Sequence, residues 1–194
     1  MVDVGDAVDA IAAGEVIVYP TETVYGLGAD VRSRDAVERV FELKRRPRSK
    51  PLSVAVGDAV AAREVATISA RADAVMRRFL PGPVTVVCEK HPDLPAVVTG
   101  GKDRVGIRVP DHDLARKLLR ETGPLTATSA NVSGGRNVRE PAALPERIRA
   151  GVGAIVDGGR TPGGESTVVD PDRGQLIRPG LLAEEVAGWL DEQA

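Results

Sequence analysis

The stretch Tyr19-Pro-Thr-Glu-Thr-Val-Tyr-Gly-Leu-Gly28 directly follows the apolar run Val16-Ile17-Val18. An apolar strand that stops at a proline and is followed by threonines, a glutamate and two glycines places hydrogen-bond donors and close backbone at a strand end. Open α/β sheets bind their ligands at such ends. The same pattern also fits an ordinary strand end, in which Pro20 terminates the strand and the glycines serve turns, so the flanking sequence has to decide between the two.

Helical and extended patterns alternate around this stretch. Apolar residues at helical spacing run from Val4 to Ala12, with Gly14 as C-cap, and a second helix begins at the N-cap Ser33 and ends before Pro47. Further helices are predicted over 59–66, 70–80, 114–119, 145–150 and 182–190, a long connection over 90–103, and further strands over 52–56, 84–89, 105–109, 125–128, 154–156, 167–169 and 176–177. This alternation, with no linker, predicts an α/β fold and a single domain over 1–194.

Composition narrows the classes of partner. The formal net charge is −2, so any anion binding must come from a local cluster of basic residues. One Trp, two Tyr and two Phe are too few for the stacking surfaces that single-stranded nucleic acid requires. The single cysteine, Cys88, lies in an apolar strand and is predicted to be a buried thiol. There is no signal-peptide pattern and no apolar run long enough to span a bilayer, so a cytoplasmic protein without a membrane partner is expected.

Three common site types are missing from the sequence. The pair Gly101-Lys102 lacks the first glycine and the final Ser or Thr of a P-loop, and there is no G-x-S-x-G nucleophile motif. The two histidines, His91 and His112, have no second His or Cys at ligand spacing, so no metal site built by the protein is predicted. His112 lies just before a helix and is interpreted as a solvated first-turn residue instead of a catalyst.

Polar side chains gather instead at the ends of apolar segments. Lys44 continues the buried series of the second helix, and Arg46 follows it in a basic run, although a lysine that snorkels near a helix C-terminus would look the same. Arg104 and Arg108 are four apart on one strand and therefore project from one face. Three further polar clusters lie at segment ends: Ser129-Ala-Asn131-Val-Ser133, Gly163-Gly-Glu-Ser-Thr167 and Arg178. Together these clusters indicate a cleft for anionic groups such as a nucleoside triphosphate and a carboxylate.

Six motifs carry a family resemblance: Pro20-Thr-Glu-Thr-Val-Tyr-Gly-Leu-Gly28, Lys44-x-Arg46-Pro47, Pro81-Gly-Pro-Val-Thr85, Ser129-Ala-Asn-x-Ser-Gly134, Glu165-Ser-Thr-Val-Val-Asp170 and Arg178-Pro-Gly180. In order and spacing they resemble the YrdC-like threonylcarbamoyl-AMP synthase family, over about residues 8–180. Each motif is short, but the combination is specific. Longer members of the family add a C-terminal domain, and the chain resembles the single-domain form.

The resemblance implies a twisted mixed sheet flanked by helices around a large basic cavity, and an enzyme of the nucleotidyltransferase type. The implied reaction condenses L-threonine, bicarbonate and ATP to threonylcarbamoyl-AMP and pyrophosphate, with Mg²⁺ carried on the ATP. The implied pathway is tRNA modification, in which a separate tRNA threonylcarbamoyl transferase complex moves the group to the adenosine next to the anticodon. Direct contact with tRNA or double-stranded RNA is a further candidate interaction.

The same matching gives a role to each predicted site residue. The catalytic set is Lys44, Arg46, Ser129 and Asn131, the threonine-binding set is Thr23, Arg108 and Ser166, and the nucleotide-binding set is Arg46, Lys50, Arg104, Ser129, Asn137 and Arg178. Two positions depart from the family pattern. Ala55 stands where many members carry histidine, and Asn137 stands where many carry serine.

Two other functions fit the same residues: an RNA-binding module that uses the basic cavity, and a family paralogue with altered chemistry. The net charge of −2 and the few aromatic residues disfavour the first. The Lys44, Arg46, Ser129 and Asn131 set disfavours the second.

Overall fold

The computed structural model describes residues 4–192 and shows helices alternating with strands. The α-helices are α1 (Gly5–Ala12), α2 (Arg34–Lys44), α3 (Ala70–Phe79), α4 (Ala96–Thr99), α5 (Asp113–Thr122), α6 (Glu146–Arg149) and α7 (Ala183–Glu192). The strands are β1 (Ile17–Tyr19), β2 (Gly26–Gly28), β3 (Ser53–Ala55), β4 (Ala66–Thr67), β5 (Val84–Lys90), β6 (Arg104–Arg108), β7 (Leu125–Ser129), β8 (Ala154–Ile155), β9 (Thr167–Asp170) and β10 (Gln175–Arg178).

The strands form one mixed sheet in the order β10-β9-β5-β6-β3-β7-β2-β1-β8, with β4 paired to β5. The pairs β3–β6, β5–β9 and β1–β8 are parallel, and the other pairs are antiparallel. The predicted α/β class and mixed sheet are therefore confirmed. No helix within residues 4–192 combines the length and the apolar content needed to cross a bilayer.

Both faces of the sheet are covered. Ile17 and Tyr19 lie in a buried cluster with residues of α1 and α5, whereas Val16 and Val18 lie in a larger cluster with residues of α2 and α3. Successive residues of a strand point to opposite faces, so the two clusters are the two sides of the sheet. The result is a helix–sheet–helix arrangement with a core of aliphatic side chains. Cys88 is buried in the larger cluster, as predicted.

The opening stretch forms an antiparallel hairpin of β1 and β2, in which Ile17 pairs with Gly28 and Tyr19 with Gly26. The ring of Tyr19 packs over both glycines. A Cβ at Gly28 would lie 3.0 Å from Tyr19 Cε1, and one at Gly26 would lie 3.2 Å from Tyr19 Cζ. The glycines therefore leave room for the tyrosine ring, and the connecting residues 20–25 are the part that reaches the site described below.

Helix α2 follows its sequence signals closely. Ser33 is the N-cap and its side chain accepts a hydrogen bond from the Ala36 N–H, as predicted. The helix ends at Lys44 because Arg45 adopts a left-handed conformation with φ of 49°. This turn directs the chain after Lys44 towards the cleft. The last helix, α7, forms close to the predicted range 182–190, and its Trp189 packs edge-on against Phe79 with ring centroids 6.4 Å apart.

Two local predictions are wrong. The predicted helix over 59–66 is a short 3₁₀ turn over Ala61–Glu64 followed by β4, because the Asp58 carboxylate accepts the backbone N–H groups of Val60 and Ala61 and closes a tight turn. Residues 66–67 then pair with the end of β5. The predicted connection over 90–103 contains α4, whose N-cap is a proline.

Candidate functional site

A cleft that encloses, together with the open solvent at its mouth, about 910 Å³ is lined by the β1–β2 connection and by residues of β3, β5, β6, β7, β9 and β10. Its charged lining residues are three arginines and one glutamate: Arg46, Arg108, Arg178 and Glu165. The predicted site residues that line it are Thr23, Arg46, Arg108, Ser129, Asn137, Ser166 and Arg178. The stretch Tyr19–Gly28 is therefore part of a cleft wall and does more than terminate a strand.

Lys44 is buried beneath the cleft surface, where it holds the segment that contains Ser129 and Asn131. The side chain is 1% exposed, and Nζ donates to the backbone oxygens of Ser129 and Asn131 and to Asn131 Oδ1, the last two at 2.8 and 3.0 Å. The backbone oxygen of Lys44 in turn accepts the Ser133 N–H at 2.8 Å. Lys44 therefore acts as a positioning residue that fixes the turn over residues 129–133, called the Lys44 turn below.

The Lys44 turn is closed by its own side chains as well. Ser129 Oγ donates to Asn131 Oδ1 at 2.7 Å, and Asn131 Nδ2 donates to the Gly135 oxygen at 2.7 Å. Asn131 is 6% exposed and does not line the cleft, whereas Ser129 does. Of the two polar side chains predicted to be catalytic here, only the serine is thus placed to touch a ligand directly.

Burial, with a smaller contribution from Arg46, lowers the pKa of Lys44 to about 7. In the unfolded chain a lysine keeps its proton to a pH of about 10. Between these two values the unfolded chain binds more protons than the folded protein, so the free energy of unfolding increases with pH across that window. We expect a gain of about 2 kcal/mol between about pH 7 and pH 9.

Urea unfolding at the two pH values tests this expectation. Lys44→Met should lose the gain, because it keeps the side-chain length but has no titrating group. Lys90→Met is the matched control: the Lys90 amine also donates to three carbonyl oxygens, those of His91, Pro92 and Leu94, but lies away from the cleft. An equal gain in the wild type and in Lys44→Met would refute the assignment.

Arg46 and Arg178, called the arginine pair below, bring two positive charges to the cleft wall. Arg46 Nε and Nη2 donate to the backbone oxygens of Lys50 and Pro51 at 3.2 and 2.9 Å, which holds the guanidinium in place. Burial and the nearby Arg178 lower the pKa of Arg46. An anion between the two guanidinium groups would offset the unfavourable effect of Arg178 on the charged form of Arg46.

Arg178 also contacts Ser166. Arg178 Nη2 donates to the backbone oxygen of Ser166 at 2.8 Å and to its Oγ at 3.0 Å, and Ser166 Oγ shares a hydrogen bond of 3.0 Å with Thr85 Oγ1. Ser166, predicted on the threonine side, therefore lies directly against Arg178, predicted on the nucleotide side. Thr85 completes this wall of the cleft.

Thr21, Thr23 and Arg108 form a second polar cluster, called the Arg108 group below. Thr21 Oγ1 donates to the Val24 oxygen at 2.7 Å and shares a hydrogen bond of 2.9 Å with Thr23 Oγ1. Arg108 Nη2 donates to Thr23 Oγ1 at 2.7 Å and to Glu22 Oε1 at 2.9 Å. The two hydroxyls and the guanidinium are thus connected before any ligand binds.

Two predicted nucleotide-binding residues lie outside the cleft lining. Arg104 Nη2 is bound to the Val87 oxygen, Asp170 and Asp172, the first at 3.0 Å and the last at 3.2 Å. These bonds tie Arg104 to the end of β9 and beyond, so in this structure it is a structural ion-pair residue. Lys50 is exposed and contributes only its backbone oxygen, which accepts from Arg46.

The model of the Sua5/YciO/YrdC family, described as "Telomere recombination", matches residues 9–180. The chain belongs to this family. The crystal structure of Escherichia coli YciO superposes on this chain with a TM-score of 0.83 and 26% sequence identity. The match covers 92% of this chain and 89% of the YciO chain.

Relatives with a named activity are more similar in sequence. The threonylcarbamoyl-AMP synthase of Pyrococcus abyssi is 40% identical over 191 residues, which are 94% of this chain and 55% of that protein. The crystal structure of P. abyssi Sua5 complexed with L-threonine matches 94% of this chain and 56% of its own, with a TM-score of 0.87 and 38% identity. This chain thus spans about half the length of the first relatives it matches. It covers 97% of the Xanthomonas axonopodis pv. citri threonylcarbamoyl-AMP synthase at 37% identity.

Several residues at this Sua5/YciO/YrdC-type cleft were not predicted from sequence. Ring and hydroxyl side chains among the lining residues include Tyr19, Thr21, Ser53 and Thr85. Thr21 and Thr85 lie inside motifs quoted above, so their motif position was an available signal. Glu22 lies inside the opening motif as well, but its pairing with Arg108 could not be predicted, because it depends on a contact across 86 positions of the chain.

Ala55 and His112 clarify two further predictions. Ala55 is 1% exposed overall and still lines the cleft, so the small side chain leaves space where a histidine would project. His112 is half-buried and not the solvated residue predicted, since its Nδ1 is buried with no partner among residues 4–192. Burial lowers the pKa of His112, which favours the neutral ring.

The donor set of the cleft does not form a magnesium cage. Within residues 4–192 there is no group of three or more His, Cys, Asp or Glu side chains that could hold a metal ion, and Glu165 is the one carboxylate of the lining. Magnesium prefers several oxygen ligands, often supplied by phosphates and water. The cleft therefore fits a metal ion that arrives on a phosphate ligand better than a resident ion.

Proposed function

We propose that the chain is a threonylcarbamoyl-AMP synthase that condenses L-threonine, bicarbonate and ATP to threonylcarbamoyl-AMP and pyrophosphate. The observation that carries the proposal is the pairing, in one cleft, of the Arg108 group with the arginine pair. The first suits a small hydroxylated carboxylate and the second suits phosphates. Relatives that bear this activity in their names, and the P. abyssi protein complexed with L-threonine, support the proposal.

The Arg108 group would hold the amino acid. A guanidinium is a strong donor to a carboxylate, and Arg108 is already oriented by two hydrogen bonds through Nη2. The Thr23 oxygen can accept a hydrogen bond from the substrate hydroxyl, while Thr21, whose proton is donated to a backbone oxygen, holds the Thr23 hydroxyl in place. Ala55 and Tyr19 supply less polar surface beside them. The group thus offers a partner for each functional part of threonine except the amine, which must stay free to react.

The arginine pair and the Lys44 turn would hold the nucleotide. Arg46 and Arg178 would neutralise the triphosphate, and Ser129 Oγ at the surface of the turn would donate to a phosphate oxygen. Asn137 lies in the cleft lining, and its Nδ2 donates to Glu165 Oε1 at 3.4 Å. This side chain could instead donate to a phosphate oxygen of the bound nucleotide. Asparagine at position 137, where many family members carry serine, is therefore compatible with phosphate binding.

The chemistry needs no nucleophile from the protein. The threonine ammonium first releases a proton, and the free amine then attacks the carbon of bicarbonate and water leaves, which gives a carbamate. A carbamate oxygen then attacks the α-phosphorus of ATP, the bond between the α-phosphorus and the α,β-bridging oxygen breaks, and pyrophosphate leaves with that electron pair. The side chains contribute orientation and stabilisation of charge on the phosphoryl oxygens, the two effects that dominate phosphoryl transfer.

The proposal also covers the metal ion, the enzyme that receives the product and the possible binding of RNA. Mg²⁺ would enter bound to ATP and shield its phosphates. The labile product would be passed to a separate tRNA threonylcarbamoyl transferase complex, which would act in the cytoplasm. The RNA-binding alternative has less support, because the one aromatic side chain of the cleft lining, Tyr19, is 1% exposed and offers no stacking surface to a base.

Pyrophosphate release tests the proposal. The purified protein should release pyrophosphate when threonine, bicarbonate and Mg-ATP are all present, and each single omission should reduce the rate to background. Serine in place of threonine should react more slowly, since it lacks the methyl group that fills apolar space. Release that is independent of threonine would reject the synthase in favour of a paralogue with altered chemistry.

The arginine pair gives a separate prediction about the nucleotide. Arg46→Ala and Arg178→Ala should each increase the KM for ATP by about 10- to 100-fold, since each removes a charged hydrogen-bond donor to phosphate. The KM for threonine should change much less. The double variant should show less than the product of the two effects, because Arg178 disfavours the charged form of Arg46 and the two residues are therefore coupled. Steady-state kinetics with each substrate varied in turn measure this, and an unchanged KM for ATP would contradict it.

A further inference from the structure

Glu22 lies behind Arg108 and not in the cleft lining. Its Oε1 accepts from Arg108 Nη2 at 2.9 Å, and the two side chains are only 14% and 13% exposed. Arg108 Nη2 uses its two hydrogens on Glu22 and Thr23, and Nη1 makes none of the hydrogen bonds found within residues 4–192. The guanidinium is therefore fixed on the Nη2 side and retains donor capacity on the other.

The pair is electrically balanced. Glu22 is the acidic residue bound to Arg108, whereas Glu165, the carboxylate of the cleft lining, contacts Asn137 and lies 3.8 Å from Arg178. The positive charge of Arg108 is thus cancelled at short range by a nearly buried carboxylate. Glu22 Oε2 is also buried and has no partner within residues 4–192, so part of its negative charge is not compensated by hydrogen bonds.

We infer that Glu22 is a positioning residue that holds Arg108 and makes the Arg108 group selective for a zwitterionic α-amino acid over a simple carboxylate anion. This inference rests on the proposed function and adds to it the basis on which the substrate class is chosen. An unbalanced arginine would attract any carboxylate. The balanced pair attracts a ligand that carries both charges.

The physical reason is the range of each interaction. The ligand carboxylate bonds directly to the guanidinium, and its contact with Glu22 is repulsive at second-layer distance. The α-ammonium of an amino acid, held beside that carboxylate, is attracted by Glu22 and offsets the repulsion. At the effective dielectric of a protein site, charges several ångströms apart still interact by more than the thermal energy. A carboxylate without the amine has only the repulsion.

Binding to the whole protein tests the inference with two matched ligands. The first is L-threonine, and the second is 3-hydroxybutanoate, which has the same hydroxyl, methyl and carboxylate groups but no amine. Calorimetry gives the Kd of each for the wild type, Glu22→Gln and Glu22→Asp. Glu121→Gln is the control, since this exposed residue of α5 lies 3.9 Å from Lys117 on the same helix and not in the cleft.

In the wild type and the control, threonine should bind about tenfold or more tightly than 3-hydroxybutanoate. Glu22→Gln keeps the side-chain shape and removes the charge, so threonine should bind more weakly and the anion more tightly, and the preference should be lost. Glu22→Asp keeps the charge and should keep the preference at lower affinity. Kinetics should show a raised KM for threonine in Glu22→Gln with kcat changed far less.

Three outcomes would overturn the inference. The first is no preference in the wild type, and the second is a preference that survives in Glu22→Gln. The third is an equal weakening of both ligands, which a purely structural role would give. If Glu22→Gln does not fold, Glu22→Asp decides, because a changed ligand ratio in a variant that keeps the charge contradicts the account. Binding is measured without ATP, so a failure of synthase activity is seen separately in the pyrophosphate assay.

Discussion

Replacing Lys44 by alanine is expected to reduce kcat for pyrophosphate release by about 10²- to 10³-fold, since a displacement of about 1 Å at a positioning element costs that much. The buried amine holds two backbone oxygens and Asn131 Oδ1 at once, and without it the Lys44 turn has no central donor. Ser129 would then lose its fixed position on the cleft wall. The KM for threonine should change little, because the Arg108 group does not contact this turn.

In Lys44→Ala the free energy of unfolding should decrease only modestly, although kcat falls strongly. Loss of the amine removes the donor to the Asn131 backbone oxygen, which costs about 1–3 kcal/mol if that oxygen stays buried. The Ser129 oxygen still accepts from the Asn131 N–H, and Asn131 Oδ1 still accepts from Ser129 Oγ. The same substitution removes a cation whose burial is itself unfavourable, as the lowered pKa of Lys44 shows. Lys90→Ala removes a lysine with a similar set of carbonyl acceptors and should retain full activity. Wild-type kcat in Lys44→Ala, with an unchanged melting temperature, would refute the role of Lys44.

Arg108→Ala should raise the KM for threonine by about 100-fold or more, the cost expected for truncating a nearly buried, hydrogen-bonded charge. The KM for ATP should stay within a few-fold of the wild-type value, because the arginine pair is separate from this residue. Truncation also leaves Glu22 as an unpaired and nearly buried carboxylate, so a loss of stability of about 3–5 kcal/mol accompanies the kinetic effect.

Arg104→Ala separates the loss of stability from the loss of threonine binding. Arg104 is on the same strand as Arg108 and is bound to Asp170, which is 1% exposed, so its removal should destabilise the fold in the same manner. It does not line the cleft and should leave the KM for threonine unchanged. Thermal melting and kinetics on both variants give the comparison. Equal KM values for threonine in Arg108→Ala and the wild type would contradict the assignment of Arg108.

Much of this arrangement follows from local sequence. Ser33 predicted the start of α2, and the helical series that ends at Lys44 predicted a cation on the buried side of that helix. Both signals act within a few residues, where backbone geometry fixes which side chains share a face. The strand-end motifs were likewise visible, because Thr23, Ser129 and Ser166 occur in polar runs that interrupt apolar segments.

Other features depend on contacts between distant segments and could not be predicted locally. Arg104 and Arg108 look equivalent in sequence, yet Arg104 is neutralised by Asp170, 66 positions away, and Arg108 by Glu22, 86 positions away. The alternation along β6 could indicate a shared face but not which acidic residues approach it. The same holds for the predicted helix over 59–66, which failed because pairing of β4 with β5 outweighs the helical propensity of an alanine-rich segment.

Detection of the reaction product tests the central claim most directly. The protein is incubated with L-threonine, isotopically labelled bicarbonate and Mg-ATP, and the nucleotides are separated and analysed by mass spectrometry. We expect a new adenylate with the mass of threonylcarbamoyl-AMP, heavier by the one labelled carbon, formed in equal amount to pyrophosphate and formed about 10²- to 10³-fold more slowly by Lys44→Ala. Pyrophosphate without this adduct, or an adduct that carries no label, would contradict the proposed reaction.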